Sequence, residues 1–118
     1  MAQTKRFETI INLIRKNERV IDVGTDHAII PIELYKRNIS TNVTASEVVE
    51  GPFNIALNNL KKEGLEQKIK LILSDGFERI SPRQFDTIII AGMGGQLITK
   101  ILSQKKTKFR ARLILHPT

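Results

Sequence analysis

At 118 residues, with 41% hydrophobic and 26% charged side chains, the chain has the make-up of one globular domain with a modest core. It has no cysteine, which excludes disulfides, thiolate metal sites and cysteine nucleophiles; its two histidines, His27 and His116, lie far apart in sequence, so no metal is expected. A net charge of +7, from 19 Lys and Arg against 12 Asp and Glu, suits a polyanionic partner such as nucleic acid, although a biased Lys-, Ile- and Asn-rich composition gives the same surplus with no RNA role. No run reaches the roughly 18 apolar residues of a membrane span and the N-terminus lacks an apolar signal segment, so a cytoplasmic protein with no membrane partner is expected.

Phe7, Ile10, Ile11 and Ile14 recur at helical spacing, which predicts an amphipathic helix over about 4–16. Val20 to Val23 read as a first strand, and Pro31 fits the first turn of a helix running to about Asn38. Asn42 to Glu47 read as a second strand. Gly51-Pro52 opens a helix with Phe53, Ala56, Leu57 and Leu60 on one face and Gly64 as its stop. Lys68 to Leu73 is a third strand, and Phe85 to Ala91, almost wholly apolar, a central fourth. Gly92-Met93-Gly94-Gly95 leads into a helix with Leu97, Ile98, Ile101 and Leu102 inward, and Arg112 to Leu115 is a fifth strand. Strands alternating with crossover helices predict an α/β fold with a doubly wound, mainly parallel sheet.

In such a sheet every strand ends on the same edge, where open α/β sheets bind ligands. Asp22, Glu47, Asp75 and Gly92 all fall at or just past strand ends, so four separate segments converge on one pocket. Gly24 lets the backbone turn sharply and a ligand approach closely. Asp22 either meets a ligand through water or braces the loop. Glu47, 23 residues beyond Gly24, suits a bidentate bond to ribose hydroxyls and repels a 2′-phosphate. Asp75, before Gly76, can accept a hydrogen bond from an exocyclic amine, or simply form an Asp-Gly turn. Asp26 and His27 stand where a glycine-rich dinucleotide loop carries small residues. Asp26 also reads as an N-cap for the helix beginning near Ala28, and His27 as a loop-packing residue.

This array discriminates between cofactors. A pyrophosphate needs bare amides at the helix start, and Asp26 would set a negative charge beside it. S-adenosyl-L-methionine carries a sulfonium and an ammonium, both compatible with Asp22, Asp26, Glu47 and Asp75. An acidic pocket inside a basic protein therefore points to a cationic adenosyl cofactor and an anionic macromolecular substrate. An NAD-dependent oxidoreductase and a non-catalytic remnant that binds S-adenosylmethionine or RNA are the rival readings.

Asp22-Val23-Gly24-Thr25-Asp26-His27-Ala28, Ser46-Glu47-Val48-Val49-Glu50-Gly51-Pro52 and Ile90-Ala91-Gly92-Met93-Gly94-Gly95 occur in order along the chain. Together they resemble the bacterial tRNA (adenine(22)-N(1))-methyltransferases, the TrmK family of Rossmann-like, class I, S-adenosylmethionine-dependent enzymes. The resemblance implies that residues 1–118 are a cofactor-binding methyltransferase domain, with Asp22, Gly24, Glu47, Val48, Asp75, Gly76, Gly92 and Met93 lining the cofactor site. It implies that Asp26 and His27, as catalytic residues, and the Gly94-Gly95 backbone face the target adenine of a tRNA. The family continues into further strands and a helical C-terminal domain, and favours Gln-Pro-Asn where this chain has His116-Pro117-Thr118. The domain is therefore expected to be incomplete after the fifth strand, leaving an apolar edge, Leu113 to Leu115, open to self-association.

For RNA contact, Lys5, Arg6, Arg15, Lys16 and Arg19 cluster around the first helix, and Lys105, Lys106, Lys108, Arg110 and Arg112 form a later run. Either group also reads as a solvated face. Aromatic residues are too few for a base-stacking platform.

Overall fold

The computed structural model describes residues 2–104 and 110–118. Nine helices and strands follow one another among these residues: α1 (Ala2–Leu13), β1 (Val20–Val23), α2 (Ile29–Lys36), β2 (Val43–Glu47), α3 (Glu50–Lys62), β3 (Lys70–Leu73), β4 (Thr87–Met93), α4 (Gly95–Leu102) and β5 (Arg112–Pro117), with a short 3₁₀ turn at Pro82–Gln84 between β3 and β4. The five strands form one sheet in the order β3-β2-β1-β4-β5, and every neighbouring pair is parallel.

The chain winds outward from β1 to β2 to β3, then crosses back to the other side of β1 as β4. The winding direction therefore reverses between β1 and β4, and this is where an open α/β sheet leaves a crevice beyond its strand ends.

Helices cover both sheet faces, which is why β1 is buried along its whole length and reads as a continuous apolar run broken only by Asp22. Side chains alternate across the sheet. Val20, Val43, Ile89 and Ile114 pack with Ile10, Ile11 and Ile14 from the α1 segment and Ile30 and Leu34 of α2. Ile21, Val23, Ile88 and Ile90 face Phe77, Ile80, and Ile98 and Ile101 of α4. A third cluster sets Ala56 and Leu60 of α3 against Ala28 and Ile32.

The sequence expectations differ from the structure mainly at element ends. The first helix stops at Leu13 rather than near residue 16, because Asn17 takes a left-handed φ of 66° that turns the chain into β1. Ile14 is buried all the same. The fourth strand runs past Ala91 to Met93, with a shift in register between those two residues. Gly92, at φ 75°, absorbs the irregularity as a bulge. Leu97 was expected inward but is 45% exposed, because it lies over the crevice rather than the core.

At the opposite strand ends, Glu18 accepts hydrogen bonds from the Arg15 amide (2.7 Å), the Thr87 hydroxyl (2.8 Å) and Arg112 Nη2 (2.8 Å). Arg19 pairs with Asp86, whose carboxyl it holds down at about 2. Arg19 and Arg112, read from the sequence as phosphate contacts, are thus already engaged within the fold. Lys105, Lys106 and Lys108 lie outside the described residues.

Candidate functional site

The turn between β1 and α2 is built from unusual backbone. After Gly24 (φ 68°), three consecutive non-glycine residues are left-handed: Asp26 (46°), His27 (47°) and Ala28 (59°). This conformation costs an ordinary residue roughly 1–2 kcal/mol, Asp somewhat less. It persists because neighbours impose it. The Thr25 amide donates to Ser46 O (2.9 Å), and the Thr25 hydroxyl donates to Asp22 Oδ2 (2.9 Å). The Asp26 amide donates to Glu47 Oε1 (2.8 Å), and Asn59 Nδ2 donates to His27 O (2.8 Å). Ala28 is fully buried against α3. Ala28 itself occupies the N-cap position of α2, with no side-chain cap, so Asp26 does not serve as the N-cap.

The Asp26 carboxylate instead borders a cavity of about 470 Å³ at the switch point. Its wall is made by Val23, Gly24 and Asp26 after β1, Glu47, Val48 and Pro52 after β2, and Ser74, Asp75 and Gly76 after β3. Ala91, Gly92 and Met93 of β4, Leu97 and Ile101 of α4, Thr118 and Arg6 complete it. That volume lies in the range of small-molecule sites. A Cβ on Gly24 would displace the terminal methyl of Met93, the far end of a flexible side chain, but the left-handed φ of 68° is what favours glycine there.

Among the described residues, the cavity lining is acidic, with one cation, Arg6. Burial pushes the Asp22 carboxyl well above the usual carboxylate range. The Thr25 hydroxyl bond pulls it down, the Glu47 and Asp26 charges push it further up, and Arg6 partly offsets them. Glu47 is raised as well, chiefly by burial, with the Asp26 amide bond opposing. Arg6 reaches the cavity from α1, beside Gly92 and over the Phe7 ring, and its Nε is buried without a hydrogen-bond partner among the described residues.

Seven of the eight residues read as cofactor-lining, all but Asp22, border this cavity. Asp22 is 2% exposed and lies beneath it as a brace for Thr25. Asp26 and His27 diverge. Asp26 faces the cavity, whereas His27 lines a shallower depression between α2 and α3 with Asn59, Lys62 and Glu63. Their side chains still approach, His27 Nε2 lying 3.7 Å from Asp26 Oδ1. Gly94 and Gly95 sit exposed at the entry to α4, outside the cavity lining, and Lys5 is exposed on α1. Arg6, read as an RNA contact, belongs to the cavity wall. Its signal was present in the sequence: it stands four residues before Ile10, on the apolar stripe of the helix.

A family model for a methyltransferase domain matches residues 3–118. The chain belongs to the methyltransferase domain family. This methyltransferase domain is 37% identical over 116 residues to the tRNA (adenine(22)-N(1))-methyltransferase of Bacillus subtilis, covering 97% of this chain and 49% of that protein. A Streptococcus pneumoniae protein crystallised with S-adenosyl-L-methionine superposes with a TM-score of 0.88 at 40% identity, covering 96% of this chain and 54% of that one. TrmK of M. capricolum in complex with S-adenosyl-homocysteine superposes with a TM-score of 0.78 at 36% identity, over 88% of this chain and 47% of that one. The methyltransferase domain thus spans about half the length of the curated relatives it matches. Among the described residues, no group of three or more His, Asp or Glu could hold a metal ion, and no helix is long and apolar enough to cross a membrane.

Proposed function

We propose that this domain binds S-adenosylmethionine and serves a methyltransferase that acts on N1 of an adenine, adenine 22, in tRNA. The observation that carries the reading is the charge arrangement of the cavity: Asp26, Glu47 and Asp75 around it, and the partnerless Arg6 Nε at its wall. That pattern complements a cofactor with cationic sulfonium and ammonium groups and a single carboxylate. It does not complement a pyrophosphate. The Asp26 amide already donates to Glu47, and the Asp26 carboxylate stands where a phosphate would lie.

In this reading Glu47 holds the ribose hydroxyls with the oxygen not given to Asp26, Asp75 accepts from the adenine amine, and Val48 supports the adenine face. Arg6 pairs with the carboxylate. Gly24 and Gly92 let the ligand approach the backbone. When bound, S-adenosylmethionine supplies a methyl group on a sulfonium centre, ready for direct displacement.

Adenine N1 has a free lone pair, so the domain has no proton to remove before transfer. Its work is placement, worth much of the barrier when the reacting atoms are held in line. The Asp26 carboxylate stabilises the positive charge that develops on the methylated base. His27 stands beside it at the rim of the site, with Gly94 and Gly95 offering backbone to the base. Because N1 lies on the Watson–Crick edge, the adenine must be unpaired or turned out of its stack. The +7 charge and exposed Lys5 favour the tRNA backbone, and the tRNA substrate implies a cytoplasmic setting. Leu113 and Leu115 on the β5 edge, each 41% exposed, are the surface for strand pairing with a second copy.

Calorimetry of the full-length protein against S-adenosylmethionine and NAD tests the cofactor. Mass spectrometry of unmodified tRNA after incubation tests the reaction. Binding of NAD alone, or the absence of 1-methyladenine, overturns the proposal.

A further inference from the structure

Two of the hydrogen bonds that hold the left-handed turn differ in what else their side chains must do. Glu47 accepts the Asp26 amide at 2.8 Å, but the same carboxylate borders the cavity and is assigned above to the ribose. Its orientation is therefore shared between turn and ligand. Asn59 donates to the His27 carbonyl at 2.8 Å from the last turns of α3, outside the cavity lining. It projects from the helix whose Ala56 and Leu60 pack on Ala28, so the whole α3 packing surface backs this one hydrogen bond.

We propose that Asn59 is a positioning residue for methyl transfer. Its amide fixes the His27 carbonyl and locks the Asp26-His27-Ala28 turn. It thereby keeps the Asp26 carboxylate at the cavity independently of how Glu47 meets the cofactor. The inference rests on the role of Asp26 proposed above. The residue type follows from the chemistry: a carbonyl only accepts, so position 59 must donate. Asn59→Asp keeps the shape but sets a carboxylate against the carbonyl. Asn59→Gln keeps the donor on a longer stem. A displacement of about 1 Å at a reacting group can cost on the order of 100-fold in rate.

The test uses the full-length protein and its Asn59→Asp and Asn59→Gln variants. Single-turnover methylation of tRNA at saturating cofactor is expected to slow about 10- to 100-fold in Asn59→Asp. Cofactor affinity and KM for tRNA should stay within about threefold, and Asn59→Gln should recover most of the rate. Amide hydrogen exchange in the cofactor-free protein gives a readout independent of activity: Asp26 should exchange at least about tenfold faster in Asn59→Asp and near the parent rate in Asn59→Gln. Unchanged exchange at Asp26 in Asn59→Asp overturns the pinning. Faster exchange with an unchanged rate of transfer overturns the positioning role. A parent protein that methylates no tRNA overturns the functional reading instead, while the exchange data still decide whether Asn59 holds the turn.

Discussion

The turns after β1 and β4 flank the same cavity with opposite backbone chemistry. After β1, Asp26, His27 and Ala28 take left-handed φ values despite carrying side chains, and hydrogen bonds donated by Thr25 and Asn59 and accepted by Glu47 hold them there. At the end of β4, Gly92 makes the left-handed step within the strand at no steric cost, and beyond it Gly94 and Gly95 have open space where a Cβ would stand. The first turn presents side chains at defined positions and needs external support. The second presents bare backbone and needs little. Strain is concentrated where a carboxylate must point one way, and glycine is used where a ligand must come close.

Removing the side chain that the strained turn presents should have the largest effect. Asp26→Ala in the full-length protein is expected to slow methyl transfer roughly 100-fold or more while cofactor affinity stays within about threefold, as measured by single-turnover kinetics and calorimetry. Transfer at the parent rate would leave the turn without a catalytic purpose.

Glu47→Gln separates the support of the turn from the electrostatics of the cavity. Gln can still accept the Asp26 amide, so the turn should survive while cofactor affinity drops about tenfold, roughly 1.4 kcal/mol. The same charge should appear as a pH effect. Asp22 and Glu47 both have folded values raised above those of the unfolded chain. Between those two values the folded protein binds more protons than the unfolded one. Their contribution to the stability of the cofactor-free protein therefore rises as pH falls through that window. Binding of a cationic cofactor should weaken over the same interval. Thermal unfolding and calorimetry between pH 7 and pH 5 should thus give slopes of opposite sign. Parallel slopes would mean that the buried carboxylates do not meet the cofactor.

Glycine replacements compare the two turns directly. Gly24→Ala should destabilise the domain by about 1–2 kcal/mol, since Ala must adopt its left-handed φ while the flexible Met93 side chain moves aside. Gly94→Ala, at φ −65° with free space, should fall within about 0.5 kcal/mol of the parent in denaturant titrations. A stabilising change sharpens the idea of stored strain: His27→Gly should raise stability by up to about 1 kcal/mol, because the side chain is half-exposed and its φ is 47°. A lower melting temperature would show that the imidazole supports the turn rather than straining it.

The strand pattern, the parallel sheet and the convergence of Glu47, Asp75 and Gly92 were legible in the sequence. Each rests on local periodicity or on its place at a strand end. Three features were not. Leu97 obeys the helical period, yet apolar residues that line a cavity and those that fill a core have the same spacing. Arg6 carries the same charge as the surface cations around it, and only its place in the apolar register of α1 sets it apart. Bracing of the loop by Asp22 is one of the two roles its place in the sequence offers, whereas the divergence of Asp26 from His27 depends on φ values that non-glycine residues seldom adopt. Those values come from Ser46, Glu47 and Asn59, which lie well beyond any local window.

Arg19 and Asp86, which close the β1–β4 seam, are 67 residues apart. As the chain leaves the ribosome, β1, β2 and β3 can pair long before β4 exists. Until then β1 offers one bare, apolar edge in the middle of the future sheet. That interval is the nascent chain's most vulnerable period, when a chaperone or a neighbouring nascent chain competes for the position β4 will take. Synonymous codon changes that slow translation between β3 and β4 should therefore lower the soluble yield without altering a single residue.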